Sequence, residues 1–262
     1  MDKFRYIFHF SFITLLLLPV MMQTTIVVND NDKEIPKNLE RKFKRDAARL
    51  ALRMQASFDQ LHTLDVSIPE INIDSMYQLL KTIYATNETA KTIAKCKIHT
   101  FPNPAIDHFK LIFKNDVDWA SSLHEDISDV SNELISELLD EYDLFIDRHE
   151  KWTTDEDVLI IRSLRPLNMA ALAQKFLKVN GVESVDFGIP EIKGNDITVE
   201  REGKAWIFSY ILAVSGAFGQ ETTNHIWTFK ASDNGNINLL EETGPPIPEW
   251  LKCDSSTFPF RF

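Results

Sequence analysis

The sequence predicts an α+β protein built on a ferredoxin-like βαββαβ core, with an N-terminal helical segment before it and an antiparallel β-meander after it. Three observations predict this. Phe109, Leu111 and Phe113 alternate with Lys110 and Lys114, as in a strand with one buried face. Two stretches with helical spacing, Leu134–Tyr142 and Met169–Leu177, are each followed by a β-like run. From Ile197 to Leu240 the period is that of strands separated by turn residues.

The core unit reads from Phe109 to Phe187. In its first helix Leu134, Ile135, Leu138, Leu139 and Tyr142 face inward, with Ser128 or Asp129 as the expected N-cap. Leu144 and Ile146 open a second strand. Asp157–Arg162 is apolar at four consecutive positions, as a central strand covered on both faces would be. Asn168 caps the second helix, whose buried stripe is Met169, Leu172, Ala173, Phe176 and Leu177. Asn180-Gly181 ends it, with Gly181 in the left-handed position. Val182, Val185 and Phe187 supply the fourth strand, which completes a split-βαβ order.

Upstream, Lys3 and Arg5 precede the apolar run Ile7–Met22, which His9, Ser11 and Thr14 interrupt. That pattern predicts a secretory signal peptide over 1–22, with an N-terminal membrane anchor as the alternative, since no A-x-A site follows. Residues 23–95 form the helical segment. Within it, Leu39, Phe43, Ala47, Leu50, Met54, Phe58 and Leu61 give one helix from Lys37 to His62 an apolar face. Lys42, Arg45, Arg49 and Arg53 form a basic stripe on the same helix. The stripe suits an anionic surface or partner, or an acidic complement within the protein itself. A shorter helix capped by Asp74 buries Met76, Leu79, Leu80 and Ile83, and Asn87-Glu88-Thr89 is a glycosylation sequon. Lys97–Phe101 reads as a short strand. Residues 96–189 hold the core, 190–244 the meander and 245–262 a proline-rich tail.

The net charge of −11 lacks the basic footprint of a general nucleic-acid binder. Cys96 and Cys253 are the only cysteines, and in an oxidising compartment they can pair. No cofactor is expected, because two cysteines without C-x-x-C do not make a structural zinc site.

The ordered series His99-Thr100-Phe101-Pro102-Asn103-Pro104, Asn180-Gly181-Val182 and His225-Ile226-Trp227-Thr228-Phe229 resembles a group of uncharacterised secreted proteins of Bacteroidetes-type bacteria. The resemblance runs from about Asp46 to Leu240 and implies export and a shared bacterial fold, with no activity assigned. Those relatives carry a two-cysteine loop where this chain has Ser215–Asn224 without cysteine. Leu172–Val185 is locally similar to the ferredoxin-like units of subtilisin prosegments and inhibitors, a likeness of fold only.

Candidate chemistry is sparse. His149 and Glu150, with Asp147 and Asp155 nearby, and His225 are the acid/base candidates, although adjacent strand residues point to opposite faces. Asp116, Asp118, Glu125, Asp126 and Asp129 surround Trp119 and His124 with the oxygen ligands calcium takes, yet Ser121 stands where an EF-hand needs glycine. Trp206, Tyr210 and Trp227 can line a ligand groove with the loop carrying Gly216 and Gly219, or simply fill a core. The motifs G-x-S-x-G and H-E-x-x-H are absent. The expectation is an exported, non-catalytic binding or interaction protein whose partner is a protein or small molecule, with no nucleic acid and no membrane span left after signal cleavage. The alternatives are a secreted hydrolase using carboxylate and histidine chemistry, and a protease inhibitor or prosegment-like module.

Overall fold

The computed structural model describes residues 35–58, 64–124, 127, 130–214, 223–232 and 234–247. The expected signal segment, the end of the first helix at His62, Ser128, Asp129 and most of the proline-rich tail lie outside the described residues.

The fold is α+β, with two antiparallel four-stranded sheets. Strands β1 (His108–Lys114), β2 (Leu144–Lys151), β3 (Glu156–Ser163) and β4 (Val182–Asp186) form the first, in the order β2-β3-β1-β4. Helix α4 (Glu133–Glu141) lies in sequence between β1 and β2, and α5 (Met169–Phe176) between β3 and β4. The β1 alternation is realised: Phe109, Leu111 and Phe113 are fully buried. They share one hydrophobic cluster with Leu159 and Ile161 of β3, Ile135 and Leu138 of α4, and Leu172 and Phe176 of α5. Phe176 meets Phe109 edge-on at 5.3 Å between ring centres, and burying each such side chain contributes about 1.5–3 kcal/mol.

The meander makes a second sheet and does not extend the first. Its strands β5 (Asp196–Glu202), β6 (Ala205–Val214), β7 (Thr223–Ser232) and β8 (Ile237–Thr243) pair in chain order. Its buried face carries Trp206, Phe208, Tyr210, Leu212, Trp227 and Phe229, and that face is covered by helices from the other end of the chain. Phe43, Ala47, Leu50 and Ala51 of α1 (Lys37–Phe58), Met76, Leu79, Leu80 and Ile83 of α2 (Glu70–Thr86), and Ala90 and Ile93 of α3 (Glu88–Lys95) belong to the same cluster. The unit from β1 to β4 is therefore inserted between the helices and the strands of another layer pair. The connector between α1 and α2 touches both cores, since Val66 is buried in one and Ile68 in the other.

Several local expectations change. Helix α2 starts a turn earlier than Asp74 implies, with Pro69 at its N-cap. The α4 cap is Asn132, whose side chain accepts from Ile135 N. Helix α3 was not anticipated, and the sequon Asn87 is its cap, accepting from Thr89 N and Ala90 N. Leu134 and Leu177 face solvent, because α4 and α5 are short and present narrower apolar stripes than their leucines suggest. The Lys97–Phe101 segment is not a strand; its backbone is held by side chains of α1. Gly181 does take the left-handed conformation, at φ +87, and a Cβ there would lie 2.2 Å from Val117 Cγ1.

Candidate functional site

Helix α1 is buried on every side from Asp46 to Leu52, so its polar residues there need partners inside the protein. The linker from α3 to β1 supplies them. Arg45 Nη2 donates to Asp107 Oδ2 at 2.6 Å. Arg49 donates to Thr100 Oγ1 at 2.7 Å and to the Pro104 carbonyl at 3.0 Å. Arg53 donates to the carbonyls of Phe101, Asn103 and Ile197 and to Asp196 Oδ1, all within 2.9 Å. Three arginines spaced four apart on one face thus hold both chain segments that enter and leave the inserted unit. Of the basic stripe, Arg45, Arg49 and Arg53 meet an internal complement, much of it backbone carbonyl. Burial pushes the Arg49 guanidinium down from its ordinary value, Arg45 adds to this, and Asp46 and Asp107 oppose it.

Asp46 anchors the same linker. Its Oδ1 accepts from Thr100 N at 2.9 Å and Thr100 Oγ1 at 2.8 Å, and its Oδ2 lies 2.8 Å from His99 Nδ1. Both partners at Oδ1 are donors from Thr100, and an ionised Asp46 would take a third hydrogen bond from His99 Nδ1–H at Oδ2. The other ring nitrogen, Nε2, has no hydrogen bond among the described residues. The His99 side chain is 26% exposed while that of Asp46 is 3% exposed. A buried carboxylate orienting a half-exposed imidazole is the arrangement general bases use.

His99 stands at a small cleft with Leu39 and Phe43 of α1, Tyr84 of α2, Ile93 of α3 and Tyr210 of β6 among its walls. The enclosed volume is about 10 Å³, the scale of a single water molecule. Burial pushes the Tyr210 phenol far up, with the Asp46 charge adding to it, so Tyr210 is neutral. Of the aromatic residues expected to line a groove, only Tyr210 reaches the cleft. Trp206 and Trp227 are core residues. The Arg201 guanidinium covers the Trp206 ring at 4.3 Å, and Trp206 Nε1 meets no acceptor among the described residues. Gly216 and Gly219 lie outside the described residues.

The acid/base candidates are not brought together. His149 Nε2 lies 2.8 Å from Asp157 Oδ2, a pair buried between β2 and β3, with Phe113 beside the imidazole. Glu150, on the opposite face of β2, pairs with Arg148. His225 Nδ1 lies 2.8 Å from the Pro245 carbonyl and Nε2 3.0 Å from Glu242 Oε1, so this imidazole staples β7 to the segment after β8. Asp116 and Asp118 are exposed. Asp126 lies outside the described residues, and among those described no group of three or more His, Cys, Asp and Glu can hold a metal ion. Cys96 is buried and disulfide-bonded; Cys253, the partner the sequence offers it, lies outside the described residues. His99 was missed as a site residue. Its signal was the run His99–Pro104, which reads as a strand followed by a stop but serves as the segment α1 grips.

Comparison with family models, curated proteins and solved structures finds no match for the chain. The motif His99–Pro104 nevertheless has a physical reading here. His99 and Thr100 bind Asp46, and Phe101, Asn103 and Pro104 give their carbonyls to Arg53 and Arg49.

Proposed function

We propose that this is an exported binding protein whose central unit follows the ferredoxin-like plan and whose ligand site is the cleft at His99. The observation that carries the binding reading is His99 Nε2, which has no hydrogen bond among the described residues, with Asp46 behind the ring and apolar walls beside it. Apolar lining with few placed polar groups is what small-ligand sites share. At the enclosed volume of the cleft, the part of the ligand that enters is an end group, a hydroxyl or amide N–H that donates to Nε2, with the rest of the ligand lying outside. Export is supported by the basic residues and apolar run at the N-terminus; among the described residues no helix is long and apolar enough to cross a membrane. The βαββαβ element order and the strand order β2-β3-β1-β4 support the ferredoxin-like plan.

The test is nitrogen-resolved NMR of the His99 ring during titration with p-cresol, toluene and p-toluate. The expected result is an Nδ1–H tautomer and a shift of Nε2 with p-cresol alone. A Nε2–H tautomer, or no response to any probe, would remove the site. The Asp46–His99 pair also favours a second reading, a hydrolase in which Nε2 takes a proton from water. Ester and amide substrates turned over by the wild type and by His149→Gln, but not by His99→Gln, would make that reading the better one.

A further inference from the structure

The basic face of α1 does two separate jobs along its length. Beyond Arg45 its cations turn inward, as described above. Before Arg45 they stay in water: Lys37, Arg41, Lys42 and Lys44 are exposed, and Arg45 is exposed at its edge. At 100° per residue, Lys44, Lys37, Arg41, Arg45 and Lys42 fall within a continuous arc of about 160°. Leu39 and Phe43 of the same turns pack into the core, so the arc is the solvent side of a helix already fixed in place. Lys81 of α2 adds to it: together with Lys44 and Lys37 it holds the Glu40 carboxyl below its usual range, Lys44 acting most strongly. The acidic groups facing these cations are Glu40 and Asp74 around Lys44 and Asp107 at Arg45. Lys37, Arg41 and Lys42 have no ion pair among the described residues.

We propose that this arc is a docking surface for anionic phospholipid headgroups, which holds the folded body against a membrane peripherally. Charge asymmetry is the first argument. A chain of net charge −11 concentrates unpaired cations on one helix end, and such a body approaches an anionic surface only with that end foremost. Position along the chain is the second. The apolar run ends at Met22 and α1 begins at Lys37, so a tether of about 50 Å at full extension joins them. A membrane that receives the apolar run, in transit or as an anchor, therefore lies within reach of the arc. Lipid is favoured over an acidic protein because the arc is the convex, solvent side of a helix and its cations sit on long, exposed side chains. That is the pattern of polybasic lipid attraction and not of a protein interface with a buried aromatic centre.

The experiment uses the full chain and two vesicle compositions, phosphatidylcholine alone and an equimolar mixture with phosphatidylglycerol. Flotation of the wild type is expected to show stronger association with the anionic vesicles, and the excess should shrink as salt is raised. Lys37→Glu/Arg41→Glu/Lys42→Glu is expected to reduce that excess by roughly a hundred-fold, while association with phosphatidylcholine alone, which reads the apolar run, stays unchanged. Because these side chains are exposed, the variant should melt with the wild type. Lys178→Glu/Lys204→Glu, exposed elsewhere, should keep the excess. Equal binding of the wild type to both compositions, or an excess that survives the triple substitution, would overturn the proposal. Loss of the excess in the Lys178→Glu/Lys204→Glu variant would do so too, by showing that overall charge and not the arc is read.

Discussion

Replacing Arg53 with Met tests whether the α1 arginines hold the inserted unit. Arg53 makes hydrogen bonds to the Phe101, Asn103 and Ile197 carbonyls and an ion pair of 2.9 Å with Asp196. The Asp196 side chain is 4% exposed and that of Arg53 22%. Removing one partner of a buried pair costs about 3–5 kcal/mol, chiefly because the other charge is left uncompensated. Two facts place Arg53→Met at the lower end. Asp196 keeps hydrogen bonds from Phe101 N and Ile197 N, and water reaches the Arg53 end of the pair. The expected loss is therefore about 3 kcal/mol in urea unfolding. Asp196→Asn in the Arg53→Met background should recover part of it, with a coupling of about 1–2 kcal/mol. A loss below about 1 kcal/mol, the level of an exposed ion pair, would refute the reasoning. So would strict additivity of the two substitutions, since it would mean that the carboxylate and the guanidinium do not depend on each other.

Gly181→Ala forces a side chain into the left-handed region and onto Val117; a loss of about 2 kcal/mol or more is expected from thermal melts. Adding Val117→Ala should relieve the overlap and leave about 1 kcal/mol of backbone strain. The His108 hydrogen bond holds the Asp107 carboxyl below its usual range, with Arg45 adding and desolvation opposing. A folded value below the unfolded one makes this contribution fully present above about pH 4 and lost as pH falls through the folded value. Asp107→Asn should therefore flatten the acid limb of the stability profile. A non-reducing peptide map should join Cys96 to Cys253, closing a loop of about 160 residues and contributing about 5 kcal/mol in the chain-entropy model. Recovery of a Cys96 peptide unlinked to Cys253 would refute that pairing.

Periodicity made the individual elements legible. The alternation of β1 and β6 and the α2 stripe Met76, Leu79, Leu80, Ile83 are buried as their spacing indicates, because burial of one face leaves a repeat in the chain. The same repeat does not say what covers the face. The apolar stripe of α1 and the aromatic face of β6 are each legible alone, but their meeting across more than half the chain leaves no local mark. Site residues were hidden for the same reason. His99 and Asp46 are 53 residues apart, and the arginine partners are mostly main-chain carbonyls, which every residue type supplies equally. Acidic residues near the stripe could be anticipated; a linker backbone could not.

What the sequence treats as an appendage is the helix the molecule is assembled on. An apolar helix face alone would set the rotation of α1 on the β5–β8 sheet only to within the width of its stripe, since burial is non-directional. Asp46, Arg49 and Arg53 remove that freedom, because a guanidinium fork and a carboxylate find their donors and acceptors at one rotation only. The same contacts fix the path of residues 99–107 and the start of β5, and with them the place where the inserted unit leaves and rejoins its host. The His99 imidazole is positioned by this arrangement, whereas His149 and His225 are carried by strands, one in each sheet. The cleft should therefore be lost when α1 loosens its hold on the linker, even if both sheets keep their pairing.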